Sequence, residues 1–270
     1  MNGVRRWGGY IALVVVFAVA CGLLSWWQWA RRAEAVAEID RVAVNFDATP
    51  EPLDDALPSL EAWSADVKWL PVTMHGQYLA DEALLVRNRP RDGGAGFEQL
   101  VPLLLDDGSV FVVDRGWIPT GASIESPDAV PDIPAGDVTV VARLKPGEPT
   151  LAGRSAPVGQ IATINLPTIA DRVGRDTYTG GYGLLASETP AAAEVPLPFE
   201  KPEADEGPHL SYALQWIAFG ILAFIGLAWA YRREKRIAAL PIDEQAAARN
   251  PKRRTHDSDV EDEILDRAER

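Results

Sequence analysis

Two long apolar runs constrain the fold of this 270-residue chain more than any other feature. The first covers Tyr10–Trp29 and the second covers Leu210–Tyr231, and neither contains a charged residue. As an α-helix, a stretch of about 20 apolar residues crosses the ~30 Å hydrocarbon core of a bilayer. We therefore predict transmembrane helices at 10–29 and 209–231.

The first run also has features of a secretory signal peptide. Arg5 and Arg6 precede it, and the letters AVAC end at Cys21 much as in a lipoprotein cleavage site. A lipid-modified cysteine should end the apolar stretch, whereas here the stretch continues from Leu23 to Trp29. We therefore rank the signal peptide below the transmembrane helix.

Basic residues beside the two runs predict the orientation of the chain. Six of them flank the outer ends of the runs: Arg5, Arg6, Arg232, Arg233, Lys235 and Arg236. Arg31 and Arg32 oppose this bias but are outnumbered. Because segments rich in Lys and Arg stay in the cytoplasm, we predict cytoplasmic segments at 1–9 and 232–270 and a middle segment outside the cell (inner) membrane.

The charge of the middle segment limits the partners of the chain. From Ala33 to Pro208 the sequence has 12 Lys and Arg against 29 Asp and Glu. An acidic segment is a poor match for the phosphates of nucleic acid, so we expect no nucleic-acid partner. Cys21 is the only cysteine, which excludes an intramolecular disulfide and thiolate metal clusters.

Motifs of the common enzyme classes are missing from the sequence. It contains no G-x-S-x-G, no G-x-x-x-x-G-K-[ST] and no H-E-x-x-H. The three histidines, His75, His209 and His256, are expected on both sides of the membrane and so do not form one metal site. A membrane-tethered hydrolase would depend on His75 as its base, without a recognisable nucleophile. We therefore predict that the protein is not an enzyme.

Between the two runs, the hydrophobic periodicity changes from helical to alternating. Residues 30–58 are predicted as an extension of the first helix followed by a linker rich in proline and acidic residues. Residues 59–187 contain six candidate strands rich in Val, Leu, Ile, Phe and Thr: Trp69–Tyr78, Ala83–Asn88, Phe97–Leu105, Ser109–Arg115, Asp137–Leu144 and Gln160–Asn165. A short helix at Leu166–Val173 and a further strand in TGGYGLLAS follow them.

The clearest hairpin lies around Asp107-Gly108, a pair typical of two-residue turns with positive φ angles. We predict that the strands form an extracytoplasmic, antiparallel β-rich, barrel-like domain between the two transmembrane helices. Residues 188–208, rich in Pro, Ala and Glu, are predicted as an extended tether. The charged tail from Ile237 to Arg270 is expected to be a loose helix or disordered.

One short motif, VVDRGWIP, lies where a predicted strand ends. We interpret it as a structural corner in which Arg115 bridges to an acid, Gly116 permits the turn and Trp117 covers the end of the barrel. As an alternative, Arg115 and Trp117 could face a site near the membrane. The residues alone do not decide between these interpretations.

The start of the second run has more polar groups than lipid crossing requires. On a helix, His209, Tyr212, Trp216 and Phe219 share one face, and Gln215 borders it. Such a stripe offers an imidazole ligand, aromatic walls and polar groups, which are what a haem and its propionates need. Alternatively, these residues anchor the helix among lipid headgroups. Taken alone, the residues favour this second interpretation.

The end of the first run carries a matching polar sector. Trp27, Gln28 and Arg31 are three and four residues apart and therefore share a helix face. If the two helices are antiparallel neighbours, this sector lies at the same depth as His209. Arg31 could pair with a haem propionate, or its guanidinium could reach up to phosphate headgroups.

Three motifs in order resemble the surfeit-locus-one family of cytochrome c oxidase assembly factors. They are WQ..R, from Trp27 to Arg31; V.RGW.P, from Val113 to Pro119; and H..YA.QW, from His209 to Trp216. The resemblance covers about Tyr10 to Tyr231. This chain departs from the family pattern at Ser25, where Gly is frequent, and at Asp114, where Asn is common. We expect Ser25 to loosen helix contact at the first motif.

The resemblance implies a chaperone that binds haem a and helps its insertion into oxidase subunit I, together with other oxidase assembly proteins. The family's proposed haem ligand corresponds to His209, and with this resemblance we favour haem binding over simple anchoring. The alternative function, from a different functional class, is that of a membrane scaffold that stabilises oxidase subunits without binding haem.

Overall fold

The computed structural model describes residues 2–122, 125–151, 153–242 and 244–245. Within these ranges the chain forms two compact units. The first unit contains the described residues up to Ala33 and those from Gly207 onward, and the second contains Glu34–Glu206. The predicted tail falls largely on residues 246–270, which lie outside the described ranges.

Four α-helices occur among the described residues: α1 (Asn2–Asn45), α2 (Leu53–Ala56), α3 (Leu166–Val173) and α4 (His209–Ala238). Helices α1 and α4 contain the two apolar runs and are long and apolar enough to cross a membrane. Almost none of their apolar surface is buried within the chain, whereas a core helix of a soluble protein is mostly buried. These properties indicate a membrane protein and confirm the two predicted helices.

Eight strands occur in the described part of the second unit: β1 (Glu51–Pro52), β2 (Pro71–Tyr78), β3 (Leu84–Arg87), β4 (Gly96–Leu105), β5 (Val110–Pro119), β6 (Asp137–Pro146), β7 (Gln160–Ile161) and β8 (Gly181–Thr189). Strands β2, β6, β8, β5 and β4 are neighbours in this order, and β2 also pairs with β4, so the five strands close a barrel. The predicted antiparallel β-rich barrel is therefore confirmed. Three pairings are parallel: β5 with β8, β1 with β2 and β3 with β7.

The hairpin between β4 and β5 differs in detail from the prediction. The Gly108 N–H donates to the Leu105 carbonyl at 3.0 Å, and the Leu105 N–H donates to the Ser109 carbonyl at 2.8 Å. Only Gly108 of the predicted pair has a positive φ, of +90°. The turn is therefore a three-residue loop with a glycine bulge, rather than a two-residue primed turn. Asp107 instead accepts hydrogen bonds from the N–H and the hydroxyl of Ser109.

Two apolar clusters form the core of the second unit. One contains buried residues such as Val72, Phe111 and Val140 from three barrel strands. The other lies where the end of α1 and α3 meet the sheet, and it includes Phe46 and Ile169. At about 25 cal/mol per Å² of apolar surface removed from water, such burial is the main favourable contribution to folding.

The predicted linker and tether both take part in this packing. Residues Leu53 and Leu57, from the segment predicted as linker, are buried in the first cluster. Glu188 lies in β8 and is buried, and Leu197 forms a bridge with Trp117. Composition predicts a linker and a tether because Pro, Ala and acidic residues dominate both segments. A few buried side chains are nevertheless enough to fix the path of each segment.

The VVDRGWIP motif does not form the predicted corner at a strand end, because β5 continues through it to Pro119, with an irregularity in its pairing with β4 between Glu98 and Leu100. The Arg115 side chain is fully buried, and its Nη2 donates to Oε1 of Glu188 at 2.8 Å. Gly116 has a φ of +136°, and a Cβ there would lie 2.5 Å from the carbonyl oxygen of Leu197. The Trp117 indole donates to the Arg89 carbonyl at 2.8 Å. Arg115 and Trp117 thus have structural partners within the β domain.

The same part of the β4–β5 pair contains two neighbouring carboxyl groups with little contact with solvent. Asp114 is completely buried, and burial raises its pKa well above the usual range, as does the adjacent charge of Glu98. Burial also raises the pKa of Glu98, while Arg89 opposes this rise. The Oδ1 of Asp114 accepts the Gly116 N–H at 3.2 Å, whereas its Oδ2 has no hydrogen-bond partner among the described residues. Burial of this carboxyl group therefore favours its neutral form.

Candidate functional site

In the first unit, α1 and α4 pack side by side in antiparallel directions. The Ser25 hydroxyl donates to the Ala213 carbonyl at 3.1 Å, and both residues are buried. Further along, the Cα of Gly220 faces Cys21, because a Cβ at Gly220 would lie 3.7 Å from the cysteine Cβ. Small residues at these positions let the two helix backbones approach closely.

The contacting positions follow a repeat of three and four residues. On the apolar part of α1 the least exposed positions are Val14, Ala18, Cys21, Ser25 and Gln28. On α4 they are His209, Ala213, Trp216, Gly220, Ala223, Leu227 and Ala230. This 3.5-residue period is typical of helices that coil around each other. We call these positions the seam.

His209 and Gln28 meet at one end of the seam. His209 is the first residue of α4 and is half-buried, and its Nδ1 lies 2.8 Å from Oε1 of Gln28. The amide oxygen can only accept, so Nδ1 carries the proton and donates it to Gln28. A neutral imidazole with its proton on Nδ1 has a lone pair on Nε2. That nitrogen is then available as a metal ligand.

Gly207 keeps the space beside this nitrogen open. A Cβ on Gly207 would lie 3.4 Å from both Cδ2 and Nε2 of His209. The residue also has a φ of +66°, which favours glycine. Sequence reasoning missed this residue, although the letters GPH immediately before the helix were a local signal.

Half of the predicted stripe on α4 lies on the seam: His209 and Trp216 do, whereas the seam has Ala213 and Gly220 next to the predicted Tyr212 and Phe219. Trp216 lies on the seam and packs edge-to-face against Phe219, with ring centroids 5.8 Å apart. Tyr212 and Gln215 are exposed on the flank of the helix. A helix face is about 100° wide, so sequence spacing alone does not show which neighbouring position forms the contact.

On α1, only one of the three residues of the predicted polar sector lies on the seam. Gln28 lies on the seam, while Trp27 and Arg31 are exposed and stack on each other, with the Arg31 Cζ 5.8 Å from the indole centroid. Arg32, four residues after Gln28, is less exposed than Arg31. Arg32 is not among the predicted site residues. In the sequence it is notable only as a basic residue that opposes the predicted membrane topology.

The expectation that Ser25 loosens the helix contact is wrong. The residue is only 5% exposed, and its hydroxyl donates across the seam to α4. In a segment away from water, such a hydrogen bond holds two helices together, because the donor has few other partners.

The arrangement offers one imidazole rather than a cage of ligands. Within the described ranges, no group of three His, Cys, Asp or Glu residues could hold a metal ion. His75, the other described histidine, is exposed, and its Nδ1 lies 2.9 Å from Oδ2 of Asp106 in the β domain. A single histidine ligand suits a planar metal complex that brings its own equatorial ligands, as haem does.

Comparison with known proteins identifies the family of the chain. The model of the SURF1 family matches residues 15–221, which include most of both apolar runs and the whole β domain. SURF1-like proteins of Mycobacterium bovis and Mycobacterium tuberculosis, both named as uncharacterized, are each 35% identical over 266 residues. The matches cover 91% of this chain and 96% of each relative. The chain therefore belongs to the SURF1 family, a family of oxidase assembly factors rather than of enzymes.

Proposed function

We propose that this protein binds haem a through His209 and assists its insertion into subunit I of a haem–copper cytochrome c oxidase. The observation that carries the proposal is the hydrogen bond between Gln28 and His209. It places the proton of a neutral imidazole on Nδ1, which makes Nε2 the ligand atom, and Gly207 leaves room beside that nitrogen. We infer that haem a is a transient cargo, and that the protein does not catalyse a reaction.

The single histidine suits a carrier. A protein that transfers a metal complex to a partner must bind the complex and also release it. One imidazole ligand binds the metal more weakly than two protein ligands would. The His209 nitrogen supplies the axial bond. The remaining affinity then comes from contacts with the rest of the porphyrin.

The other predicted residues supply those contacts in this proposal. Trp27 and Trp216 provide apolar surface for the ring, while Tyr212, Gln215 and Arg31 provide polar groups for the propionates. Exposure of Tyr212, Gln215 and Arg31 on the helix flanks leaves them accessible to a ligand. Arg32 is added to this set because it lies near the same end of the seam.

We also propose a cell (inner) membrane location with both chain ends in the cytoplasm and the β domain outside. The antiparallel packing of α1 and α4 requires both ends of the pair to face the same side. The basic residues at 5–6 and 232–236 favour the cytoplasmic side. The His209 end then lies at the outer face, near the oxidase subunits that receive haem a.

The direct test is the absorbance of protein purified from cells that make haem a. We expect a Soret band in the wild-type protein and its loss in His209→Ala. His75→Ala is the matched control, because His75 is exposed in the β domain. A full Soret band in His209→Ala would show that His209 is not the ligand. No band in the wild type, with oxidase assembly still dependent on the protein, would favour the scaffold.

A further inference from the structure

We propose that the end of the helix pair opposite His209 binds the phosphate of an anionic glycerophospholipid. At this end a cavity of about 430 Å³ opens between α1 and the last turns of α4. Six described residues line it: Arg6, Trp229, Ala230, Arg233, Glu234 and Ile237. The lining combines two guanidinium groups with an indole and aliphatic side chains, which matches a headgroup and the start of its acyl chains.

Both guanidinium groups are held in place by neighbouring side chains. Arg6 forms an ion pair with Glu234 across the two helices. The Arg233 Cζ lies 5.5 Å from the centre of the Trp229 ring, within the range of a cation–π contact. A guanidinium has a planar fork of donors that suits phosphate oxygens. Because Glu234 neutralises only one of the two cations, the cavity keeps a net positive charge.

The surroundings add further positive charge. Arg5, Arg232, Lys235 and Arg236 lie within a few residues of the cavity lining. The Lys235 ammonium lies 5.1 Å from the Tyr231 ring centre. Basic clusters at the cytoplasmic end of membrane helices attract anionic lipids. This excess of cations favours an anionic headgroup over a zwitterionic one.

Aromatic rings place this cavity at the level of lipid headgroups. Trp7 of α1 packs edge-to-face on Tyr231 of α4, with centroids 5.2 Å apart, and Trp229 lies one turn from the basic residues. Tryptophan and tyrosine concentrate at the boundary between hydrocarbon and water. A lipid phosphate is present at that depth in every leaflet, so the occupant we infer is a lipid rather than a small anion from the cytoplasm.

The test is native mass spectrometry of the full-length protein in detergent micelles mixed with dioleoylphosphatidylglycerol. We expect the wild type to retain one lipid, and Arg233→Gln to retain it about tenfold less well, the loss that one charge-assisted hydrogen bond represents. Arg6→Gln should have a similar effect. Arg232→Gln is the charge-matched comparison and should lower retention less than Arg233→Gln, because Arg232 is not one of the six described residues that line the cavity.

Three results would overturn the proposal. Equal losses in Arg233→Gln and Arg232→Gln would show diffuse attraction without a site. Equal retention of dioleoylphosphatidylcholine would exclude selection for an anionic headgroup. Displacement of the lipid by inorganic phosphate alone would indicate a small-anion site. The His209→Ala variant should retain the lipid like the wild type, so this proposal can fail or succeed independently of haem binding.

Discussion

Gln28 and His209 hydrogen-bond across two antiparallel helices, although 181 positions separate them in sequence. The contact orients the imidazole and selects the tautomer of its neutral form, with the proton on Nδ1. In the proposed haem complex, Gln28 would act on the metal through the histidine, as partners of metal-bound histidines commonly do. Gln28 is a positioning residue in this interpretation.

Replacing Gln28 by Leu should weaken haem binding about 10–100-fold, the usual cost of removing a hydrogen-bond partner from a metal ligand. The leucine has similar volume but cannot accept the Nδ1 proton, so the imidazole loses its fixed tautomer. Titration of the purified protein with haem, followed by absorbance, measures the change. Gln77→Leu is the control, because Gln77 is exposed in the β domain. Equal losses in both variants would contradict the positioning role of Gln28.

Gly207→Ala should reduce haem loading and also destabilise the start of α4. An alanine at a φ of +66° costs about 1 kcal/mol, and its Cβ would stand 3.4 Å from His209 Nε2. The loading is measured by the Soret absorbance per protein and the stability by thermal unfolding in micelles. Gly226→Ala is the control, since among the described atoms nothing lies within 4 Å of its added Cβ. Unchanged loading in Gly207→Ala would show that access to Nε2 does not depend on this glycine.

Asp114→Asn should stabilise the β domain at neutral pH by roughly 1–3 kcal/mol, the cost of one unsatisfied buried polar group. The asparagine amide can donate to Glu98 and accept from the Gly116 N–H. Because the amide does not ionise, it carries no charge that burial would destabilise. The control is Asp171→Asn, which is exposed and should leave the stability unchanged. Destabilisation of Asp114→Asn would contradict a raised pKa of Asp114.

The same substitution should change how stability depends on pH. Burial raises the folded-state pKa of Asp114 above its unfolded value, so the folded protein keeps a proton that the unfolded chain releases. The free energy of unfolding then falls as pH rises from the unfolded pKa through the folded pKa. An asparagine side chain does not titrate, so the Asp114→Asn variant should lose this part of the pH dependence. Thermal unfolding at a series of pH values measures both curves.

Arg115→Met should destabilise the β domain by about 3–5 kcal/mol, because it leaves the Glu188 charge buried without its partner. Thermal unfolding measures the loss. Arg172→Met is the control, since its partner Glu82 is exposed and surface ion pairs contribute little. A loss no larger than that of the control would show that Glu188 finds another partner or takes up a proton.

Local sequence signals predicted the longer elements well. Helix α3 begins and ends at the predicted residues, because Asn165 accepts a hydrogen bond from the Thr168 N–H and Gly174 ends the helix with a positive φ. Strands β2 and β6 follow the alternation of apolar residues, whereas β4 and β5 are apolar and buried over most of their length. Each of these signals depends only on residues near one another in the chain.

The features that sequence reasoning missed depend on distant partners. Glu188 belongs to the barrel because Arg115, 73 positions away, needs a buried acid. The prediction placed His209 and Gln28 at one depth, but the tautomer follows only from the 2.8 Å contact between them. The role of Gly207 follows from the orientation of the neighbouring His209 imidazole, whose Nε2 would lie 3.4 Å from a Cβ at position 207. None of these relationships leaves a periodic pattern in the sequence.

The seam also limits how the length of either helix can evolve. Each inserted residue turns everything beyond it by about 100° around the helix axis. One extra residue between Ser25 and Gln28 would point the amide away from His209, while seven would bring it back to the same face one heptad further along. Insertions and deletions in these helices should therefore be tolerated only in multiples that preserve the heptad register.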